Sequence, residues 1–136
     1  MTTPPAAGSS ARPLVAHRFL VALLRSPFAR LIGGMCELRF TGRVSGRTIA
    51  LPVQCAQEET RLVITVGHAS GKRWWRNFID GHDVQVRLGG VRYQGRGRVL
   101  DVHHPDRGWA ERSYRRCHPG VEVARTDPIV LIDLEP

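Results

Sequence analysis

The chain has 136 residues, a length typical of one domain with a single core rather than two independent ones. Its apolar content of 42% and charged content of 24% favour a soluble globular protein and exclude an extensively disordered one. The formal net charge of +8 indicates an anionic partner: a nucleic acid, a membrane surface or a polyanionic small molecule. Nearly all of this charge is arginine, since Lys72 is the only lysine, and a GC-rich genome would produce the same bias.

The cysteine pattern and the apolar runs bear on the compartment. Cys36, Cys55 and Cys117 are odd in number, lie far apart and contain no CxxC pair, so neither a disulfide framework nor a thiolate zinc site is indicated. The longest apolar run near the start, residues 19–24, is too short for a secretion signal or a membrane span. We therefore expect a cytoplasmic protein.

The first part of the sequence predicts a disordered tail followed by a helix. Residues 1–12 are rich in Thr, Pro, Ala, Gly and Ser, which bury too little surface to offset chain entropy. Across residues 13–31 the apolar positions recur with helical spacing and end at Gly33 and Gly34, which favours an amphipathic helix. Arginines flank its apolar positions, so peripheral contact with an anionic membrane is an open alternative for this helix.

The rest of the chain predicts a small antiparallel β-barrel. Six short strand-like runs cover residues 36–40, 47–56, 61–66, 83–88, 91–100 and 128–134. Two short helices are expected between them, at residues 72–79 and 106–117. Residues 13–136 are thus predicted to form one domain of mainly β (α+β) class.

The first candidate site is the turn Thr-Gly-Arg-Val-Ser-Gly-Arg at residues 41–47, between two predicted strands. Its glycines are expected to leave backbone N–H groups uncovered, while Arg43, Ser45 and Arg47 add donors, as in a phosphate-binding nest. A glycine hairpin with solvated arginines is the alternative interpretation.

The second candidate site is the Gly/Ser loop after the third predicted strand, which leads into a helix carrying Lys72 and Arg73. Helix N-termini bind anions through free N–H groups and the helix dipole. Trp74 and Trp75 diverge by about 100° on a helix, so one is expected to pack inward while the other lines a groove. Asn77 follows Trp74 by one turn and is placed to donate to a ring carbonyl.

A third region surrounds the second predicted helix. His103 and His104 lie near Asp101, but adjacent histidines diverge and no third ligand follows, so a capping loop is favoured over a metal site. The arginines of the helix are interpreted by default as a solvated face, and a wall of the ligand groove is the alternative. They are Arg107, Arg112, Arg115 and Arg116. Tyr114 and His118 are the obvious proton donors of this region.

Five segments in this order and spacing, TGRVSGR, LPV, RLVITVGH, GKRWWRNF and HDVQVRL, resemble the deazaflavin-dependent nitroreductase family. The resemblance covers roughly residues 38–88 and 128–136. It implies a six-stranded antiparallel split β-barrel, similar to FMN-binding flavin reductases and pyridoxamine-phosphate oxidases, and it implies binding of coenzyme F420.

The resemblance also implies a set of cofactor-binding positions. They are Arg43, Val44, Ser45, Leu51, Pro52, Val53, Gly67, His68, Trp74 and Asn77. The donors beside them extend the expected set to Gly46, Arg47, Lys72 and Arg73. Many family members carry a lysine where this chain has Val44, and a Ser-Lys pair where it has Gly67 and His68.

The predicted activity is hydride transfer from reduced F420 to a quinone, enone or nitro-type acceptor, with Tyr114 or His118 as proton donor. A barrel that binds FMN, haem or a lipid without deazaflavin activity is the alternative. A nucleic-acid partner is not expected, because the sequence has no RNP-like aromatic pattern, recognition helix or zinc finger. Related barrels commonly form dimers, so a homodimer is an open alternative to a monomer.

Overall fold

A computed structural model describes residues 34–135 of the chain. The tail and the amphipathic helix predicted for residues 1–12 and 13–31 lie outside the described residues. The strands are β1 (Met35–Thr41), β2 (Thr48–Gln54), β3 (Ala56–Glu58), β4 (Arg61–Thr65), β5 (His82–Leu88), β6 (Val91–Leu100) and β7 (Ile129–Leu134). The helical elements are two 3₁₀ segments, Ala69–Gly71 and Trp74–Phe78, and one α-helix, α1 (Arg107–Cys117).

The seven strands form one antiparallel sheet in the order β2-β1-β5-β6-β7-β4-β3. Strands β2 and β3 are at opposite ends of this order, yet only Cys55 separates them along the chain. The sheet must therefore curl until its two edges meet. This confirms the predicted antiparallel split β-barrel of mainly β class.

The strand count is seven rather than the predicted six, because the strand predicted at residues 47–56 ends as β2 at Gln54 and a further strand, β3, begins at Ala56. At Cys55 the chain changes partner: β2 pairs with β1, whereas β3 pairs with β4. The Cys55 N–H donates to the Gly34 carbonyl at 2.7 Å, which extends the β1–β2 pairing by one residue before the chain changes partner. Alternation of side chains continues through such a crossing, so the sequence pattern does not reveal it.

Two apolar clusters cover both faces of β4 and β7. Leu62, Ile64 and Ile132 face the barrel interior, while Val63 and Leu131 pack beneath α1. This explains why the last strand is an almost continuous apolar run rather than an alternating one. Helix α1 therefore covers the outer face of the barrel beside β3, β4 and β7.

The α-helix predicted at residues 72–79 is wrong. Lys72 is extended, with φ −125° and ψ 144°, and the helical segment is five residues of 3₁₀ geometry. The Asn77 side chain donates to the Trp74 carbonyl at 2.9 Å. In an α-helix this carbonyl would accept a backbone N–H, so the side chain competes with the α-helical hydrogen bond. The expected anion site at a helix N-terminus is lost with the helix.

Helix α1 agrees with the prediction to within one residue, since Asp106 is its N-cap. The solvated face predicted for its arginines is wrong for Arg107, which is 4% exposed. Its guanidinium donates to the carbonyls of Leu100, Ala124 and Arg125, at 3.3, 3.4 and 3.0 Å. Arg107 therefore ties α1 to the loop that follows it.

Among residues 34–135, no helix has the length and apolar character needed to cross a membrane.

Gly97 on β6 leaves room for the ring of Phe78, which anchors the second 3₁₀ segment in the core. A Cβ added at Gly97 would lie 2.7 Å from Phe78 Cδ1. We expect Gly97→Ala to lower the free energy of unfolding by about 1–3 kcal/mol through overpacking. Urea unfolding measures this, and Gly120→Ala is the matched control because its Cβ would contact nothing within 4 Å. Equal losses in the two variants would contradict the packing account.

Candidate active site

The barrel has an open seam where β2 leaves β4. In the β3–β4 ladder Ala56 pairs with Val63, so continued pairing would place Gln54 opposite Thr65. Instead β2 turns away at Cys55 and pairs with β1. Along the seam β2 and β4 face each other without a shared ladder of hydrogen bonds, and a cleft opens between them.

A cavity of about 500 Å³ occupies this seam. The residues that β2, the end of β4 and the turn after β4 place on its wall are Leu51, Pro52, Val53, Gln54, Ile64, Thr65, Val66 and Gly67. Met35, Lys72, Trp74, Tyr114, Val121, Glu122 and Asp127 complete it. The volume lies within the range of small-molecule and cofactor sites, and a mostly apolar wall with few polar groups is typical of them.

The cavity brings together seven of the residues predicted from the sequence. They are Leu51, Pro52, Val53, Gly67, Lys72, Trp74 and Tyr114. The other predicted site residues are not on its wall. These are Arg43, Val44, Ser45, Gly46, Arg47, His68, Arg73, Asn77 and His118. Sequence reasoning missed Thr65 and the loop residues Glu122 and Asp127, because the loop after α1 carries no recognisable motif.

The turn at residues 41–47 is not an open nest. The N–H groups of Gly42 and Gly46 donate to carbonyls within the turn, at 2.7 and 2.8 Å. The Arg47 N–H donates to Ser45 Oγ at 3.2 Å, and the Arg43 N–H to Asn77 Oδ1 at 2.8 Å. The expectation that its glycines leave these N–H groups uncovered is therefore wrong. The turn also joins the end of β2 that lies away from the seam.

Asn77 has both ends of its amide engaged within the chain. Its oxygen accepts from the Arg43 N–H, and its nitrogen donates to the Trp74 carbonyl. The Arg43 guanidinium adds an ion pair with Asp80 at 3.6 Å. Asn77 therefore docks the basic turn onto the segment that carries Trp74, and its donation to a ligand carbonyl stays a prediction for the second N–H of the amide.

One tryptophan was predicted to pack in the core and the other to line a groove, and the structure differs. Trp74 is 6% exposed, and it both packs against Phe78 and lines the cavity. Trp75 is half-buried, and its Nε1 donates to the Ala69 carbonyl at 3.2 Å. The inward residue and the cavity-lining residue are thus both Trp74.

Tyr114 brings a titratable group to the cavity wall from α1. Burial raises the pKa of its hydroxyl. A hydrogen bond with Thr65 lowers this pKa in part, and the neighbouring Cys55 raises it further. The hydroxyl therefore keeps its proton at neutral pH, where it acts as a hydrogen-bond donor.

His118 forms a hydrogen bond at Cys55, the residue at which the chain crosses from one edge of the sheet to the other. Its Nε2 lies 2.8 Å from the Cys55 carbonyl, and because a carbonyl only accepts, Nε2 carries the proton. Its ring packs on Tyr114, and it also lies against Gly34, where an added Cβ would be 2.5 Å from His118 Cε1. His118 is therefore placed to support the crossing rather than to face the cavity.

Within residues 34–135, no group of three or more His, Cys, Asp or Glu side chains is arranged to hold a metal ion. The pair His103 and His104 lies in a turn before α1. Asp101 accepts from the His103 N–H at 2.8 Å, and His104 Nδ1 accepts from the Asp106 N–H at 3.0 Å.

We expect His118→Leu to lower the free energy of unfolding by about 1–3 kcal/mol, because it leaves the Cys55 carbonyl without its donor. His118→Gln supplies an amide donor of similar reach and should retain most of the stability. Urea unfolding of both variants, with His103→Gln as an exposed control, measures the difference. Equal losses in the Leu and Gln variants would contradict the proposed support of the crossing.

No protein-family model matches the sequence, and no curated protein matches it at a significant level. Several solved structures are similar in fold. An F420-H2 dependent reductase has a TM-score of 0.58 at 14% identity, over 74% of this chain and 95% of that chain. A structure described as a domain-swapped dimer has a TM-score of 0.59 at 14% identity, over 91% and 100%.

The FAD and haem binding protein from Mycobacterium smegmatis is similar as well, with a TM-score of 0.50 at 14% identity, over 87% of this chain and 65% of that chain. At such identities the likeness concerns the backbone. The chain therefore shares the split β-barrel fold of these proteins, in agreement with the fold that its motifs imply.

Proposed function

We propose that the chain is a deazaflavin-dependent oxidoreductase of the nitroreductase type, a single domain over residues 13–136 that acts in the cytoplasm. It binds F420 and transfers hydride to a quinone, enone or nitro-type acceptor. The observation that carries the proposal is the seam cavity, where Trp74, Lys72 and the Leu-Pro-Val segment of β2 meet. The fold shared with an F420-H2 dependent reductase supports it.

The wall of the cavity fits a flat ring with an anionic extension. Pro52, Val53 and Trp74 provide apolar surface for the ring. A Cβ added at Gly67 would contact nothing within 4 Å, so the backbone there leaves space. Among the described residues, Lys72 is the only cation on the wall, and it would hold a phosphate group of the cofactor.

When bound, the cofactor supplies hydride chemistry, and the side chains supply position and a proton. Asn77 fixes the 3₁₀ segment and thereby the ring of Trp74. Tyr114 holds a proton at the wall, next to Thr65. We propose Tyr114 as the proton donor to the reduced acceptor and assign His118 to the crossing at Cys55.

The alternative is a barrel that binds FMN or haem without deazaflavin activity. One observation favours it: the described cavity wall carries a single cation, although the chain as a whole has a net charge of +8. A polyanionic tail would therefore find fewer cations at the cavity than the composition indicates. The similar fold of an FAD and haem binding protein is consistent with this alternative.

Parallel titrations with F420 and FMN, followed by cofactor fluorescence, test the proposal. We expect F420 to bind more tightly than FMN, and we expect Lys72→Met to weaken F420 binding about tenfold, or 1.4 kcal/mol, through loss of a charge-assisted contact. Arg92→Met is the matched control, because Arg92 is exposed and is not on the cavity wall. Binding of FMN alone, or equal weakening by the two substitutions, would contradict the proposal.

A further inference from the structure

The cavity differs in charge from the chain around it. The chain carries a net charge of +8, yet none of the arginines between residues 34 and 135 is on the cavity wall. Its ionisable charges are the Lys72 ammonium and the carboxylates of Glu122 and Asp127. A cleft in such a basic protein that is lined by more carboxylates than cations calls for a physical explanation.

The positive and the negative charges on the cavity wall come from different segments of the chain. Lys72 lies between the 3₁₀ segments that follow β4, whereas both carboxylates lie on the loop between α1 and β7. Tyr114 of α1, the helix that precedes that loop, lines the same cavity. A ligand in the seam therefore has a cationic group contributed by one loop and an acidic wall contributed by the other.

Hydrogen bonds to its backbone hold the acidic loop in place. Arg107 donates to the carbonyls of Ala124 and Arg125, and Asp127 Oδ2 accepts from the Ala124 N–H at 2.9 Å. Glu122 has no cation within 4 Å among residues 34–135, so the Glu122 charge is not neutralised by an ion pair there. Within the same residues Asp127 has no ion pair either, but it accepts the Ala124 N–H, so Glu122 is the carboxylate of this loop that is left for a ligand.

We infer that Glu122 selects the electron acceptor, favouring neutral or cationic acceptors over anionic ones. The inference rests on the proposed function, in which the anionic groups of the cofactor are drawn to Lys72 and away from Glu122. The acceptor is then the ligand that meets the acidic wall beside Tyr114. A carboxylate disfavours a ligand of the same sign, and the effect weakens as salt screens it.

Three naphthoquinones of matched ring size test the inference: one neutral, one bearing a quaternary ammonium group and one bearing a sulfonate. Their binding is measured without cofactor, by quenching of tryptophan fluorescence, since Trp74 lines the cavity. We expect the sulfonate to bind three- to tenfold more weakly than the ammonium compound, as an order-of-magnitude Coulomb estimate at low salt. Their kcat/KM ratio with reduced F420 should follow the same order.

Glu122→Gln should reduce this discrimination, with Asp127 left as the remaining carboxylate on the wall, and Glu122→Lys should reverse it. Glu135→Gln makes the same charge change after the far end of β7 and should leave the discrimination unaltered. The inference is overturned if the wild type prefers the sulfonate, if no quinone binds, or if Glu135→Gln acts as Glu122→Gln does. Because the quinone titrations contain no cofactor, a failure of F420 binding is observed separately.

Discussion

The structure depends on a single crossing, at which Cys55 carries the chain from one edge of the sheet to the other. Its N–H makes the last bond in register with the β1–β2 pairing, to Gly34, and its carbonyl accepts from the His118 side chain, so both of its backbone polar groups are satisfied. Because β2 and β3 are neighbours in sequence but lie at opposite edges, the sheet has to curl. The same crossing parts β2 from β4 and opens the seam in which the cavity lies. Fold and candidate site thus share one cause.

Most of the barrel could be predicted from the sequence, because the alternation of apolar and polar residues indicates a strand regardless of which strand it pairs with. The run at residues 47–56 shows the limit: its pattern is continuous, while its hydrogen-bond partner changes from β1 to β4. The segment around Trp74 shows another limit. A side-chain bond from Asn77 to the Trp74 carbonyl favours 3₁₀ geometry over the α-helix that local composition predicts.

The candidate site was predictable where its residues lie within motifs that are local in sequence. Lys72, Trp74 and the Leu-Pro-Val segment stand in recognisable motifs, and the cavity includes them. Asn77 and His118 were predicted for ligand chemistry but are engaged by partners 34 and 63 residues away. Glu122 was missed for the opposite reason, since only the tertiary fold brings the loop after α1 to the seam. Long-range contacts therefore decide which polar residues remain available to a ligand.

The central claim is that the seam between β2 and β4 is the cofactor site. A crystal structure of the chain with saturating F420 tests it most directly. We expect electron density for the deazaflavin ring within the seam, in contact with Trp74 and Val53, and density for the phosphate near Lys72. Density for the ring against the turn at residues 41–47, or an empty seam with F420 bound elsewhere, would contradict the account.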